Sequence, residues 1–500
     1  MFFRTGPDAS LNSLALKLSG IDRDFKVSDG GAGFIEKDAT GEPTGILRNC
    51  TRFVKVKDSG KPPGEEDYLR RLGLLFADYN SAGITTICDR DAKPETIERY
   101  KKLRDRQALS VRLNLLRHIE NIGLITNLQA DIRSVARDPL FQERAREDWL
   151  RIIGVKTYLD GGMLTGSAFM REPWGVSQTN AITDPTNRGV LFIPRKRLGP
   201  LVRAAVESGL QFTAHSVGDV AVQELMEAYA EVNRDLPIQK TRPCITHANF
   251  LSREAVERLP KLGVALDIQR AWLFLDTHTL TGQFNDDRMK WFQPWRSFLD
   301  AGGRLGGGSD HMQKVGSLRG VNPYHPFLGM ATAITRRAKG VGPPLHPEEC
   351  LTREQATYPS GSTQLIRILN DLASRATSNQ ATNGHSHEIF NCWQAGGTSY
   401  PRRTQRSVLN YTWQNTFAPY TQAGGFGGGS SAVILMFDMM EPHASQGWPS
   451  ENSPNRYDGH GQDGGNAVFA DGHATWTSAK GWRETIVKSQ DYPSAYPLAP

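Results

Sequence analysis

Short apolar runs alternate with stretches of helical periodicity over the first 357 residues. The runs 83–89, 111–116, 152–159, 210–215, 244–247, 264–269 and 305–309 read as buried strands. They are short, aliphatic and bounded by turn residues. Between them, residues 66–80, 94–106, 197–208, 219–232, 252–262 and 295–301 read as helices. A strand followed by a helix, repeated, predicts a parallel sheet covered by helices, because parallel neighbours need a long crossover. Seven such strands predict an α/β fold, a (β/α)8 TIM-type barrel that is incomplete at its N-terminus.

Beyond residue 357 the pattern dissolves. Residues 358–500 hold 19 charged side chains in 143, about 13%, against about 26% before them. Gly, Ser, Thr, Asn and Gln take over, with clusters such as Gly424–Ser430, so this region is expected to be a Gly/Ser-rich, mainly β or irregular tail. The chain therefore divides into a barrel region, 1–357, and a C-terminal region, 358–500. Its 500 residues, 38% apolar and 22% charged, exclude a fully disordered or fibrous chain. The longest uncharged apolar run, 432–437, falls far short of the ~20 residues of a membrane helix. Met1–Gly6 lacks the charged and apolar regions of a leader, so a cytoplasmic location is expected. Cys50, Cys88, Cys244, Cys350 and Cys392 are scattered without a CxxC pair and read as reduced thiols. The net charge of +6 is spread without a basic run, which speaks against a nucleic-acid partner.

Candidate chemistry gathers where strands end. The strand 152–159 carries Lys156 in an apolar setting and runs into Asp160-Gly161-Gly162. Later strands end in Thr213-Ala214-His215-Ser216, in Thr246-His247-Ala248-Asn249 and in Gly308-Ser309-Asp310-His311. In a barrel these ends face the active-site mouth. Lys156, His215, His247 and Asp310 are the residue types of a divalent metal site. Neutral imidazoles bind zinc, a carboxylate binds metal or takes a proton from water, and a buried lysine can be carboxylated to an oxygen ligand. Each also has a structural use. A histidine can simply be hydrogen-bonded in place, Lys156 can pair with Asp160 or Asp219, and Asp310 can cap the following turn. Joint placement at successive strand ends favours the metal site. Trp272, Trp291 and Trp295 either line a substrate pocket or fill the core.

The segments Gly41–Leu47, Gly154–Gly161, Ala214–Asp219, Thr246–Asn249, Gly308–Asp310 and Leu351–Ala356 carry a resemblance. Over residues 1–356 the chain resembles the amidohydrolase superfamily, in particular the amidohydrolase-3 group related to N-substituted formamide deformylases. The resemblance implies that Lys156 is a carboxylated, metal-bridging lysine and that His215 and His247 bind the second metal. It implies that Asp310 binds the first metal and acts as general base. It further implies zinc or another divalent metal, one or two ions, and a small-molecule substrate. The reaction would be hydrolysis of a C–N bond in an amide, formamide or cyclic amide by a metal-activated hydroxide. The family pattern opens with a His-x-His strand, whereas no histidine precedes His118 here, and Asp8 stands where many relatives place a histidine. Asn12–Leu16 matches a segment that follows that strand, so the chain is expected to begin inside the pattern and its activity to be impaired. The alternative is a non-catalytic truncated barrel fused to a pilin-like surface or binding module. A homo-oligomer is compatible with either.

In the tail, Ser430–Asp438, Gly459-His460 and Gly464–His473 resemble the C-terminal region of prepilin-like proteins with a His-spaced-Asp-Gly signature. Asn466–Phe469 before Asp471-Gly472 reads as a β-hairpin. His385-Ser386-His387 reads as a surface pair. Asp458, Asp463 and Asp471 read as turn residues, lacking the carboxylate spacing of a calcium loop. The glycines after Ala423 lack the strand–helix context of a phosphate loop.

Overall fold

The computed structural model describes residues 2–3, 8–55, 63–311, 315–340 and 342–357, and beyond these the backbone of six short strands. The chain divides into two compact units, Met1–Ser360 and Gly361–Pro500.

The first unit opens with a small antiparallel sheet of β1 (Phe2–Phe3), β2 (Ala9–Ser10), β3 (Phe34–Lys37) and β4 (Pro43–Arg48), in the order β1-β2-β4-β3. Helix α1 (Ser13–Ser19) starts where the Asn12 side chain accepts the Ala15 N–H, and stops at Gly20 in the left-handed region. Ala9, Leu11, Ala15, Ile21, Ile35, Leu47 and Cys50 form a separate small core.

The main sheet is parallel, seven strands in sequence order: β5 (Thr86–Ala92), β6 (Arg112–His118), β7 (Leu150–Tyr158), β8 (Gln211–Ser216), β9 (Cys244–His247), β10 (Ala265–Gln269) and β11 (Arg304–Gly308). Helix α2 (Glu65–Ser81) precedes it. The crossovers are α3 (Pro94–Asp105), α4 (Ile125–Val135) with α5 (Pro139–Gln142), α6 (Arg195–Glu207), α7 (Asp219–Val232), α8 (Arg253–Lys261), and α9 (Arg270–Thr281) with α10 (Asp286–Met289) and α11 (Trp295–Asp300). Helices α12 (Pro326–Thr335) and α13 (Arg353–Thr357) follow. In α7 the buried Val222, Leu225, Met226, Tyr229 and Val232 recur at three- and four-residue spacing, so one face packs on the sheet. The buried Tyr229 hydroxyl donates to the carbonyls of Phe212 (2.6 Å) and Cys244 (2.9 Å), fastening that helix to β8 and β9.

The sheet is curled. Arg90 on β5 pairs with Asp267 on β10, and its Nη1 lies 4.0 Å from Cys244 Sγ on β9. An ion pair between the first and sixth strands requires both to face one interior. The edge strands β5 and β11 do not pair with each other. Helix α2 reaches the segment after β11 instead: Tyr79 Oη lies 2.8 Å from His311 Nδ1, and Asp78 accepts from the Gly316 N–H (3.0 Å) and the Tyr324 hydroxyl.

The expected strands and helices recur with ends moved by up to three residues. The clearest shift is β5, which starts at Thr86 rather than Gly83 because Gly83 (φ 77°) is used to leave α2. Helices α1, α4, α5, α9, α10 and α12 lie outside the helices expected from the sequence. Helix α9 follows β10 directly, with no side-chain cap to announce it.

The long segment after β7 is held by the small sheet. Arg48, buried and paired with Glu36 (3.0 Å), donates to the carbonyls of Thr165, Asn180 (2.8 Å) and Ala181 (3.0 Å), and Asp8 accepts the Ser167 hydroxyl. Asp8, a position where the family pattern often has histidine, therefore has a structural partner.

In the second unit β12 (His387–Ile389), β13 (Thr412–Trp413), β14 (Phe426–Gly427), β15 (Ile434–Asp438), β16 (Gly464–Phe469) and β17 (Ala474–Ser478) are described. They form two sheets, β12-β15-β16-β17 and β13-β14. Strands β16 and β17 pair antiparallel on either side of Asp471-Gly472, the hairpin read from the sequence. The side chains of His385-Ser386-His387, Asp458, Asp463 and Asp471 lie outside the described residues. No helix among the described residues is long and apolar enough to cross a membrane.

Candidate metal centre

Adjacent parallel strands bring three of the four expected residues together. In register, Lys156 of β7 faces Thr213 of β8, Tyr158 faces His215, His215 faces Thr246 of β9, and Ser216 faces His247. The C-terminal ends of β7, β8 and β9 thus carry Lys156, His215 and His247 side by side.

Lys156 is 4% exposed. Its Nζ sits 3.7 Å over the Tyr158 ring and 4.0 Å from Asp91 Oδ1. Its charge partner is Asp91, not Asp160 or Asp219. Asp160 is already occupied, accepting the N–H groups of Phe169 (2.9 Å), Val217 (3.0 Å) and Gly218 (2.8 Å). A Cβ at position 218 would collide with the Phe169 carbonyl, so this close approach needs glycine. Asp219 accepts the Arg171 N–H (2.9 Å). Asp91 also receives His118 Nδ1 (2.7 Å) and the Tyr158 hydroxyl (2.9 Å). Burial disfavours its charge, but the His118 hydrogen bond and the Lys156 charge prevail and hold its pKa below the usual value. Burial pulls the Lys156 pKa down, opposed by Asp91 and Asp310.

The two histidines present opposite nitrogens. His215 Nε2 lies 3.3 Å from the Gly161 carbonyl. A carbonyl only accepts, so Nε2 carries the proton and Nδ1 keeps its lone pair. His247 Nδ1 lies 2.6 Å from Gln269 Oε1, which by the same logic leaves Nε2 with the lone pair. The rings are 4.4 Å apart at 75°, and Trp272 stacks on His247 at 4.6 Å. Burial first, and then nearby positive charge, pushes the His215 pKa down to about 3 and that of His247 well below normal, so both are neutral at pH 7. His247 (φ 80°) and Ala248 (φ 46°) are consecutive left-handed residues, a strained turn directly at the site.

Asp310 follows β11, is left-handed (φ 52°), and has its carbonyl bonded by Asn322 Nδ2 at 2.5 Å. It lies at a rim reached by water. Even there, surrounding protein raises its pKa, while Lys156 opposes the shift. Of the other three residues, Asp310 is coupled through its field to Lys156. Of the tryptophans, Trp272 reaches the site, Trp295 (1% exposed) is core, and Trp291 packs against the core half-buried.

No three His, Cys, Asp or Glu side chains among the described residues converge as a ready-made metal site. The donors present are two neutral imidazoles with free nitrogens beside a buried lysine. This set fits one divalent ion when Lys156 supplies an oxygen after carboxylation. Asp91, His118, Tyr158 and Gln269 join the site without standing out in the sequence as candidates. The first strand was expected to stop at Asp89, two residues short of Asp91. Gln269 was visible as a polar strand end.

The fold is a curled, parallel seven-strand sheet that sets Lys156, His215 and His247 at the C-terminal ends of adjacent strands. The chain belongs to the amidohydrolase family, whose model matches residues 4–359. YtcJ of Bacillus subtilis, named as an amidohydrolase, is 27% identical over 367 residues, 71% of this chain and 63% of that protein. The N-substituted formamide deformylase of Arthrobacter pascens is 26% identical over 354 residues, 69% of this chain and 60% of the relative. The chain thus spans a little over three-fifths of these relatives at most. An uncharacterized metal-dependent hydrolase from Pyrococcus horikoshii shares the fold, with a TM-score of 0.50 at 18% identity over 70% of this chain and 63% of its own.

Proposed function

We propose that this protein is a metal-dependent hydrolase of a C–N bond in an amide, formamide or cyclic amide, with Lys156 carboxylated. The observation that carries the reading is the pair of neutral histidines offering opposite free nitrogens beside buried Lys156. His215 Nδ1, His247 Nε2 and a Lys156 carbamate oxygen would hold one divalent ion. When bound, such an ion polarises a carbonyl and makes water nucleophilic near neutral pH. Asp310 would take the proton from the attacking water and deliver it to the leaving nitrogen. Its raised pKa suits a group that must both accept and release a proton. As the free amine, Lys156 is placed in the mouth by Asp91 and the Tyr158 ring; carboxylation would replace this cation by an anion, and the carbamate would then turn from Asp91 toward the histidines. The formamide deformylase relative supports formamides as one substrate class to test.

A panel of N-substituted formamides, linear amides and cyclic amides, assayed with added zinc, tests the reading. Turnover of at least one class is expected, falling about 10²–10⁴-fold in Asp310→Asn and lost in His247→Ala. Absence of turnover, or turnover indifferent to both substitutions, would contradict it.

A further inference from the structure

We infer that Gln269 is the positioning residue of His247, fixing its proton on Nδ1 and so leaving Nε2 as the nitrogen offered to a ligand. The inference rests on the metal-site reading above for the ligand, but not for the proton's place. Gln269 is the last residue of β10 and is 3% exposed. Its amide orientation is set from the other side: Nε2 donates to the Asp267 carbonyl at 3.1 Å, which turns Oε1 toward His247. Turning the amide over would break that bond. Keeping the amide and moving the histidine proton to Nε2 would set two lone pairs against each other across 2.6 Å.

Gln269 is itself held. Its carbonyl receives Gln293 Nε2 at 3.5 Å, and the Gln293 carbonyl receives Arg336 Nη1 at 2.9 Å. Arg336 is fully buried and also donates to the Leu345 and Phe292 carbonyls. A chain of buried contacts thus runs from α12 to the His247 ring. His247 has little of its own to fix it, sitting at a strained left-handed position with Trp272 controlling only the plane of its ring. The contrast with His215 makes the inference testable. The His215 partner is a main-chain carbonyl, which no substitution removes, whereas the His247 partner is a side chain.

The test uses the full chain labelled with 15N-histidine, with imidazole tautomers read from long-range 1H–15N correlations and His247 assigned by its loss in His247→Gln. Zinc affinity is measured in parallel. In the unsubstituted protein His247 is expected as a single Nδ1–H tautomer. In Gln269→Met a mixture of tautomers is expected, with zinc bound about 10–100-fold more weakly. Gln269→Glu keeps an acceptor for His247 Nδ1 while losing the donor to Asp267, and is expected to restore the Nδ1–H form and more of the affinity than Gln269→Met does, which separates positioning from a general folding defect. A single Nδ1–H tautomer persisting in Gln269→Met would overturn the inference. Failure of the unsubstituted protein to take up zinc would overturn the metal reading instead, and the tautomers alone would then decide the role of Gln269.

Discussion

The two flanks of the barrel mouth are built on opposite principles. On the β5–β6–β7 flank, the half-buried Asp91 takes hydrogen bonds from His118 and Tyr158 and pairs with Lys156, so its carboxylate is engaged by those neighbours. On the β8–β9 flank, each histidine spends one nitrogen on a fixed acceptor and keeps the other free. Buried polar groups are normally satisfied, because an unmade hydrogen bond in a low dielectric is costly. A flank that satisfies itself reads as structure. A flank that leaves two neutral imidazole nitrogens open reads as a place for a ligand. Lys156 stands on the border, held by the first flank and adjacent to the second.

The largest effect is expected from breaking the closed flank. Asp91→Ala removes the counter-charge of a buried lysine and the acceptor of His118 and Tyr158, and should cost about 3 kcal/mol in urea denaturation. A loss under about 1 kcal/mol would mean that the three neighbours do not depend on Asp91, and the comparison between flanks would fail.

A smaller effect is expected from pH on the open flank. The histidines have folded pKa values below the unfolded ~6.5, so the unfolded chain binds more protons below that pH. Their contribution to stability is complete above about pH 6.5 and is lost as pH falls. For His215, with a folded value of about 3, the loss at pH 5 is about 2 kcal/mol. Denaturation midpoints should drop between pH 6.5 and 5, and less so in His215→Gln. An equal drop in that variant would mean that His215 is not held neutral.

Much of this arrangement was legible in the chain. Cys244–His247 and Asp219–Val232 form at their expected limits, since the β-branched pair Ile245-Thr246 just after Pro243 and a three-and-four-residue spacing leave little choice of element. Lys156, His215, His247 and Asp310 were visible as polar residues at strand ends, and β7, β8 and β9 bring the first three side by side. What stayed hidden depends on curvature and side-chain direction. That Arg90 meets Asp267 follows only from a sheet closed far enough for its first and sixth strands to face each other. That Asp160 turns to three backbone N–H groups rather than to Lys156 depends on how the segment 160–169 folds back over residues 217–218. Gln269 and Asp91 acquire meaning only from the rings they touch.

The decisive measurement is the metal content of the purified full chain, by elemental analysis beside a Lys156→Ala, His215→Ala double variant. About one zinc or other divalent ion per chain is expected, absent from the variant. Metal no higher than the variant's background would contradict it, and the free nitrogens of His215 and His247 would then need another explanation.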